Sequence, residues 1–177
     1  MPPRAPKANQ LRIIGGRWRG RRIVFSSVPG LRPTPDRVRE TLFNWLGQDL
    51  AGATTLDLFA GSGALTFEAL SRGAELGVAV DHHAGIVRTL IATAATLGTT
   101  TLETHCSDAR DFLARERRSF DVIFLDPPFG NADWDQLLPA VAERLAPSGM
   151  LYVEAPAAID APRGLELWRG DKAGQVH

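Results

Sequence analysis

The segment FLDPPF, residues 124–129, joins residue types that can act together on one chemical group. Asp126 is a carboxylate, an acceptor of hydrogen bonds when ionised. Pro127 and Pro128 fix φ and carry no N–H, so their loop is stiff and shows carbonyl oxygens without competing donors. Phe129 offers a flat ring for stacking. Acceptors around one point, beside an aromatic platform, suit an exocyclic amino group on a nucleobase. The lone pair of such a group is delocalised into the ring, so it is a poor nucleophile. Accepting its hydrogens at Asp126, and at the Asp126 or Pro127 carbonyl, favours the pyramidal, increasingly positive nitrogen of a transfer transition state. This chemistry calls for no metal, no covalent cysteine and no separate general base.

A second group of residues says what the amino group meets. LDLFAGSGAL places Gly61 and Gly63 between a strand and a helix, where the backbone turns sharply and approaches a ligand. The dinucleotide fingerprint needs a third glycine where this chain has Thr66, and the Gly-Lys-Ser/Thr of a phosphate loop is absent. Hydride and phosphoryl transfer are therefore poorly supported. Asp57 lies in the preceding strand and is placed to anchor the glycine loop or a bound ammonium. Asp81 ends the next strand, 18 residues after Gly63, where an acid can accept both ribose hydroxyls. Asp108 follows the third strand and can accept from an adenine amino group. Acids at successive strand ends lie where open α/β sheets bind ligands. A ligand with an adenosine, an ammonium and no phosphate fits them, which describes S-adenosylmethionine. Its sulfonium methyl is then the electrophile, set in line with the amino group held at Asp126.

These residues need a scaffold, and the periodicity from residue 54 onward supplies one. TTLDLF, LGVAVD, TLETHC, FDVIFLD, GMLYVEA and GLELWRG read as six short apolar strands. ALTFEALSR, AGIVRTLIATAATLG, DARDFLARE and DWDQLLPAVAERLA read as the helices between them, with Pro139 a blemish in the last. Strands alternating with helices predict a parallel, doubly wound α/β sheet covered on both faces. Upstream, LRII and RWRGRRIVF read as a hairpin about a glycine turn. TPDRVRETLFNWLG reads as a helix with Thr34 as N-cap, Pro35 as first residue and Gly47 as stop. Residues 1–10 read as a disordered basic tail. The expected organisation is a tail at 1–10, a hairpin-plus-helix extension at 11–50 and a ligand-binding α/β domain at 51–177.

The formal net charge of zero hides an asymmetry. Residues 1–40 carry ten Lys/Arg and two Asp/Glu, a formal +8, and the rest carries ten and eighteen, −8. The basic end points to a polyanion, with Arg12, Arg17, Arg19, Arg21, Arg22, Arg32, Arg37 and Arg39 as phosphate contacts. Trp18 either stacks on a base or packs under the hairpin. The lone cysteine, Cys106, reads as a small buried or half-buried thiol and excludes a disulfide framework within the chain. No stretch approaches the ~20 apolar residues of a membrane span, and MPPRAPKANQ has no apolar signal core, so the expectation is a cytoplasmic protein without membrane contact. His82 and His83 lack a Cys/His partner at ligand spacing, so no metal is expected.

DPPF resembles the amino-methyltransferase motif (Asn/Asp-Pro-Pro-aromatic) of class I S-adenosylmethionine enzymes, which act on adenine N6, guanine N2 or glutamine amides. Guanine presents N1–H beside N2–H, two donors that suit an acceptor-only carboxylate, while adenine enzymes also use Asp here. With GRWRGRR, RPTPDRVRE and DLFAGSGAL in the same order and spacing, the chain from about Leu11 onward resembles the RsmD family of 16S ribosomal RNA guanine-N2 methyltransferases. The resemblance implies a Rossmann-like class I fold with a mostly parallel sheet of the seven-stranded type. It implies methyl transfer to N2 of one guanosine, the guanine-966 type, with S-adenosylhomocysteine as product. By matching positions, Asp57, Phe59, Ala60, Gly61 and Gly63 would line the methionine side of the cofactor. Asp81 with His82 would hold the ribose, and Asp108 with Ala109 the adenine. Asp126, Pro127, Pro128 and Phe129 would form the catalytic loop. The implied partner is 16S rRNA in the small ribosomal subunit or its assembly intermediate, met by a monomer. The chain departs from the family in having Asp81 for a usual Glu, His83 for a usual acid, and no further strand after AGQVH. An adenine-N6 methyltransferase and a non-catalytic ribosome-assembly factor with this fold are the alternatives.

Overall fold

The computed structural model describes residues 9–25, 27–128 and 132–172. Five strands form a parallel sheet: β3 (Thr54–Asp57), β4 (Leu76–Asp81), β5 (Leu102–Cys106), β6 (Phe120–Leu125) and β7 (Leu145–Val153), in the spatial order β5-β4-β3-β6-β7. The chain runs outward from β3 to β5, then returns to place β6 on the other side of β3. That reversal is the topological switch point, and it opens a crevice at the C-terminal ends of β3 and β6.

Alternation of side chains along each strand builds two cores. Val122 and Phe124 of β6, with Ala79 of β4, face a layer holding α1 (Asp36–Leu46), α2 (Ala64–Ser71) and α3 (Ala84–Leu97). Ile123 and Leu125, with Leu56, Val78 and Val80, face α4 (Ala109–Arg115) and α5 (Trp134–Ala142). Pro139 in α5 withholds one N–H from a carbonyl in the first turn, at Asp135, which is exposed to water, so the helix continues past it.

The N-terminal part is built into the first core. β1 (Asn9–Arg12) and β2 (Arg22–Phe25) pair antiparallel, with the one-turn 3₁₀ helix Gly16–Trp18 between them. Leu11, Ile13, Trp18, Ile23 and Phe25 are buried in the same cluster as Phe67 and Leu70 of α2. The junction is also polar. Glu68 of α2, 0% exposed, accepts from the backbone N–H groups of Ile14 (2.9 Å) and Gly15 (2.7 Å) and from the guanidiniums of Arg39 (3.3 Å) and Arg72 (3.0 Å). Ser71 donates to the Gly15 carbonyl (2.6 Å) and accepts from the Trp18 N–H (2.9 Å).

Several expectations are corrected. Residues 1–8 of the expected tail lie outside the described residues, and Asn9 and Gln10 belong to β1. Helix α1 starts at Asp36, one residue later than expected, with Pro35 rather than Thr34 at the capping position. Among the described residues, GLELWRG pairs with no strand. Leu167 and Trp168 stand 81% and 61% exposed, so no neighbouring element covers the apolar pattern that suggested one. Cys106 is exposed, at the end of edge strand β5, with its thiol directed at the His82 carbonyl.

Candidate active site

Each strand of the sheet except β5 ends in or is directly followed by an acid. Asp57 closes β3, Asp81 closes β4, Asp126 follows β6 and Glu154 follows β7; Asp108 comes two residues after β5. Parallel pairing brings these ends to one edge.

Asp57 is buried, and its Oδ2 accepts from the Thr66 hydroxyl at 2.8 Å. The residue that breaks the dinucleotide fingerprint is thus the one that ties the carboxyl to α2. The Phe59 N–H also bonds Asp57. Burial, the largest influence, raises the Asp57 pKa to about 7 against the lowering effect of these donors. Gly61 and Gly63 have φ of +51° and +77°, left-handed values that favour glycine. Gly63 caps α2, and a Cβ there would come within 2.6 Å of Leu90 and 2.7 Å of Phe67, so the loop lies tight against the helix layer. Ala60 is buried and donates its N–H to the Val80 carbonyl at 3.0 Å.

Asp81 orders this loop. Its Oδ2 accepts from the Gly61 N–H (3.1 Å) and its Oδ1 from the His83 N–H (2.9 Å). A carboxylate has about four acceptor sites, so both oxygens can still receive a diol. His82 is exposed, its Nδ1 3.8 Å from Asp81. His83, the family's usual acid position, caps α3 by accepting from the Gly85 N–H at 3.1 Å. Asp108 caps α4 through Oδ1, which accepts from Arg110 (2.8 Å) and Asp111 (3.4 Å). Ala109 is buried beneath that turn.

Asp126 stands at the switch point. The Thr34 hydroxyl and the Glu154 carboxyl both hydrogen-bond its side chain. Burial pushes the Asp126 pKa up to about 8, and the nearby Glu154 and Asp57 add to the rise. Glu154 is itself raised, chiefly by burial. The Tyr152 hydroxyl donates to Glu154 Oε1 at 2.7 Å, and burial with the two acids holds that phenol well above its usual value. Among the described residues no cation forms an ion pair with Asp57, Asp126 or Glu154. Pro127 is buried and Pro128 exposed, while Phe129 lies outside the described residues.

The expected RNA contacts divide. Arg12, Arg17, Arg19, Arg21, Arg22, Arg32 and Arg37 are exposed. Arg39 is 1% exposed, and its donors go to Glu68, Asp36 and the Arg12 and Thr34 carbonyls. It is an internal strut and has no face for a phosphate. Trp18 is buried under the hairpin with the Arg17 guanidinium 4.3 Å from its ring, so it packs rather than stacks on a base. Tyr152 and Glu154 escaped the sequence reading, and Thr34 was read only as a helix cap. Glu154 was open to the rule that exposed the other strand-end acids, because YVE ends an apolar strand just as LD does.

The acid edge fits a cationic ligand with an adenosine: acceptors for a diol and an amino group, a glycine loop, and buried acids without an internal cation. Comparison with known proteins agrees. A family model described as Conserved hypothetical protein 95 matches residues 11–177. Ribosomal RNA small subunit methyltransferase D of Escherichia coli K12 is 40% identical, over 98% of this chain and 90% of its own length. The solved Escherichia coli yhhF structure, 41% identical, superposes with a TM-score of 0.86 over 95% of this chain and 94% of that one. A Thermus thermophilus 16S rRNA N2 G1207 methyltransferase, solved with AdoMet and guanosine, is 27% identical with a TM-score of 0.66, over 84% of this chain and 41% of that one. The sheet is thus that of class I S-adenosylmethionine-dependent methyltransferases, and the chain belongs to the Conserved hypothetical protein 95 family, the family of RsmD.

Proposed function

We propose that this chain transfers a methyl group from S-adenosylmethionine to the exocyclic N2 of a guanosine in 16S ribosomal RNA, the guanine-966 type by family. The observation that carries the reading is Asp126: a half-buried carboxyl that forms no ion pair with a cation among the described residues, at the switch point, followed by two prolines. Bound there, the cofactor supplies an electrophilic methyl on a sulfonium. Asp57, Phe59, Ala60, Gly61 and Gly63 would hold its methionine end, Asp81 and His82 its ribose, and Asp108 with Ala109 its adenine.

Asp126 lowers the barrier by accepting from the N2 amino group as the nitrogen becomes positive. The raised pKa of this acid is the cost of keeping it in a dry site, and a cationic ligand beside it restores the ionised form. Pro127 and Pro128 keep the loop rigid, and Phe129 would stack on the base. The electrophile already carries its charge, so the transfer needs no metal. The exposed arginines, from Arg12 to Arg37, form the face that meets RNA phosphates. The substrate is the small subunit or an assembly intermediate, in the cytoplasm, met by a single copy of the chain. Among the described residues no helix is long and apolar enough to cross a membrane.

Labelled methyl transfer to undermethylated small-subunit particles, naked rRNA and DNA, followed by nucleoside analysis, tests this. N2-methylguanosine is the expected product; N6-methyladenosine, or no transfer at all, would overturn the reading. Asp126→Ala should reduce turnover by about 10²–10³-fold, as loss of a transition-state partner does, while cofactor affinity by calorimetry holds within a few-fold. Loss of both together would assign Asp126 to the fold instead.

A further inference from the structure

Arg12 of β1 and Arg22 of β2 stand directly opposite each other in the hairpin, on the face away from the buried Leu11–Ile23 pair. Like charges at such a position repel and weaken a strand pair. Asp36 offsets part of this charge, facing Arg12 at 3.8 Å, but it also pairs with Arg39. Arg22 forms no ion pair among the described residues. The two arginines wall one side of a cleft of about 360 Å³, and residues 33–36 wall the other. Arg39 ties the walls together: its Nη1 donates to the Arg12 carbonyl at 3.0 Å and its Nε to the Thr34 carbonyl at 3.2 Å. The cleft is therefore preset by a buried strut. The loop that walls it also reaches the active site. Leu31 packs on the cofactor loop, since a Cβ at Gly61 would come within 2.7 Å of its side chain. The Thr34 hydroxyl bonds Asp126. Thr34 thus has the acceptor for the amino group on one side and the paired arginines on the other.

We infer that this cleft seats the phosphate of the RNA linkage beside the target guanosine, with Arg12 and Arg22 as its donors, so that the base passes Thr34 and enters the crevice at Asp126. The inference deepens the guanine-N2 reading above and rests on it. A guanidinium meets a phosphate through two parallel N–H bonds, and an anion between two opposed arginines turns their repulsion into attraction. Small-ligand sites span about 300–1,000 Å³. At the lower end of that range, the cleft takes the sugar and phosphate of one nucleotide and no length of duplex. A base that reaches the crevice while its backbone lies at the hairpin has left any stack, so the arrangement selects an unpaired guanosine. Arg17 and Arg21 do not line the cleft. Arg17 lies 4.3 Å from the Trp18 ring, and Arg21 donates to the Thr96 carbonyl at 3.0 Å. Contacts made from those positions add affinity through any phosphate. Arg12 and Arg22 instead set where the amino nitrogen stands, so their loss falls on kcat as well as on binding.

The test uses undermethylated small-subunit particles reconstituted with rRNA that carries one uncharged methylphosphonate linkage, placed on either side of the target guanosine or several nucleotides away. Wild type should lose about 10–100-fold in kcat/KM at one of the two adjacent linkages, as loss of a hydrogen-bonded charged partner does, and under about threefold at the distant one. Arg22→Ala should lose a similar factor on unmodified particles, mostly in kcat, and almost nothing more on the sensitive linkage, because the two changes remove the same contact. Arg12→Ala should behave alike, and Arg22→Lys should recover part of the loss. Arg17→Ala should still lose the full factor on the sensitive linkage. The unfolding midpoints of the Arg12 and Arg22 variants should hold, because both side chains are exposed and Arg39 bonds only the backbone of Arg12. Losses that multiply in Arg22→Ala as they do in Arg17→Ala, or two adjacent linkages that tolerate neutralisation, overturn the inference alone. If wild type forms no N2-methylguanosine on unmodified particles, the reading of function falls and the inference with it.

Discussion

Glu68 is fully removed from water and Asp126 is half-buried, and their surroundings are opposite. Glu68 receives two backbone N–H groups and two guanidiniums, and Arg72 in turn lies 4.9 Å from the Phe43 ring. Asp126 has a hydroxyl on one side and acids on the others. A buried charge is tolerated when it is paired and hydrogen-bonded, and otherwise it takes up a proton. Glu68 is therefore complete within the chain and belongs to its architecture. Asp126 is incomplete and waits for a cation from outside. The contrast separates a structural acid from a functional one without reference to motifs.

The most severe way to break the comparison is Glu68→Ala. It strands Arg39 and Arg72 without their carboxylate, and removing one partner of a buried pair costs about 3–5 kcal/mol. Urea unfolding should show that loss, and a change under about 1 kcal/mol would mean that Glu68 does not join the two parts of the molecule.

A smaller effect concerns pH. Asp57 and Asp126 have folded-state values of about 7 and 8 against 3.8 for a free Asp side chain. Between these values the folded state binds more protons than the unfolded one. The stability these acids allow is present below about pH 4 and is lost as pH rises through 7 to 8. Unfolding free energy followed from pH 4 to 8 should therefore decline less steeply in Asp126→Asn than in wild type. A cationic cofactor should bind more tightly as pH rises, with protons released on binding. Calorimetry in two buffers of different ionisation enthalpy reads this directly, and proton uptake would contradict it.

The smallest effects belong to the exposed arginines. Arg17→Ala or Arg19→Ala should each lower the salt slope of RNA binding by about one, with folding unchanged. Arg39→Ala should instead lower the unfolding midpoint, because its guanidinium has no free face. If Arg39→Ala changed only the salt slope, the division of the arginines into internal and external ones would be wrong.

Much of this contrast was legible in advance. Strands β3, β4 and β6 carry apolar runs that end on Asp or next to one, and the sheet and the glycine loop follow from them. Asp57, Asp81 and Asp126 were visible because each ends such a run. What was hidden is partnership over long separations. Nothing local distinguishes Arg39 from Arg37, and only the fold turns one toward Glu68 and leaves the other in water. Thr34 looked like a helix cap because it precedes Pro35, yet its hydroxyl reaches Asp126, distant in sequence. GLELWRG has a strand's composition, but a strand also needs a neighbour to pair with, and composition does not report one.

The hairpin has a further consequence, for the order in which the molecule is completed. β1 and β2 are the first described elements to be synthesised, yet their anchors come much later in the chain. Ile14 and Gly15 wait for Glu68, Val24 for Thr93 (3.5 Å) and Arg21 for the Thr96 carbonyl (3.0 Å). A two-stranded hairpin is marginal by itself in water, and domains assemble as units during synthesis. The earliest-made of the described segments is thus among the last to be pinned, and the basic face it carries is assembled only when α2 and α3 are in place.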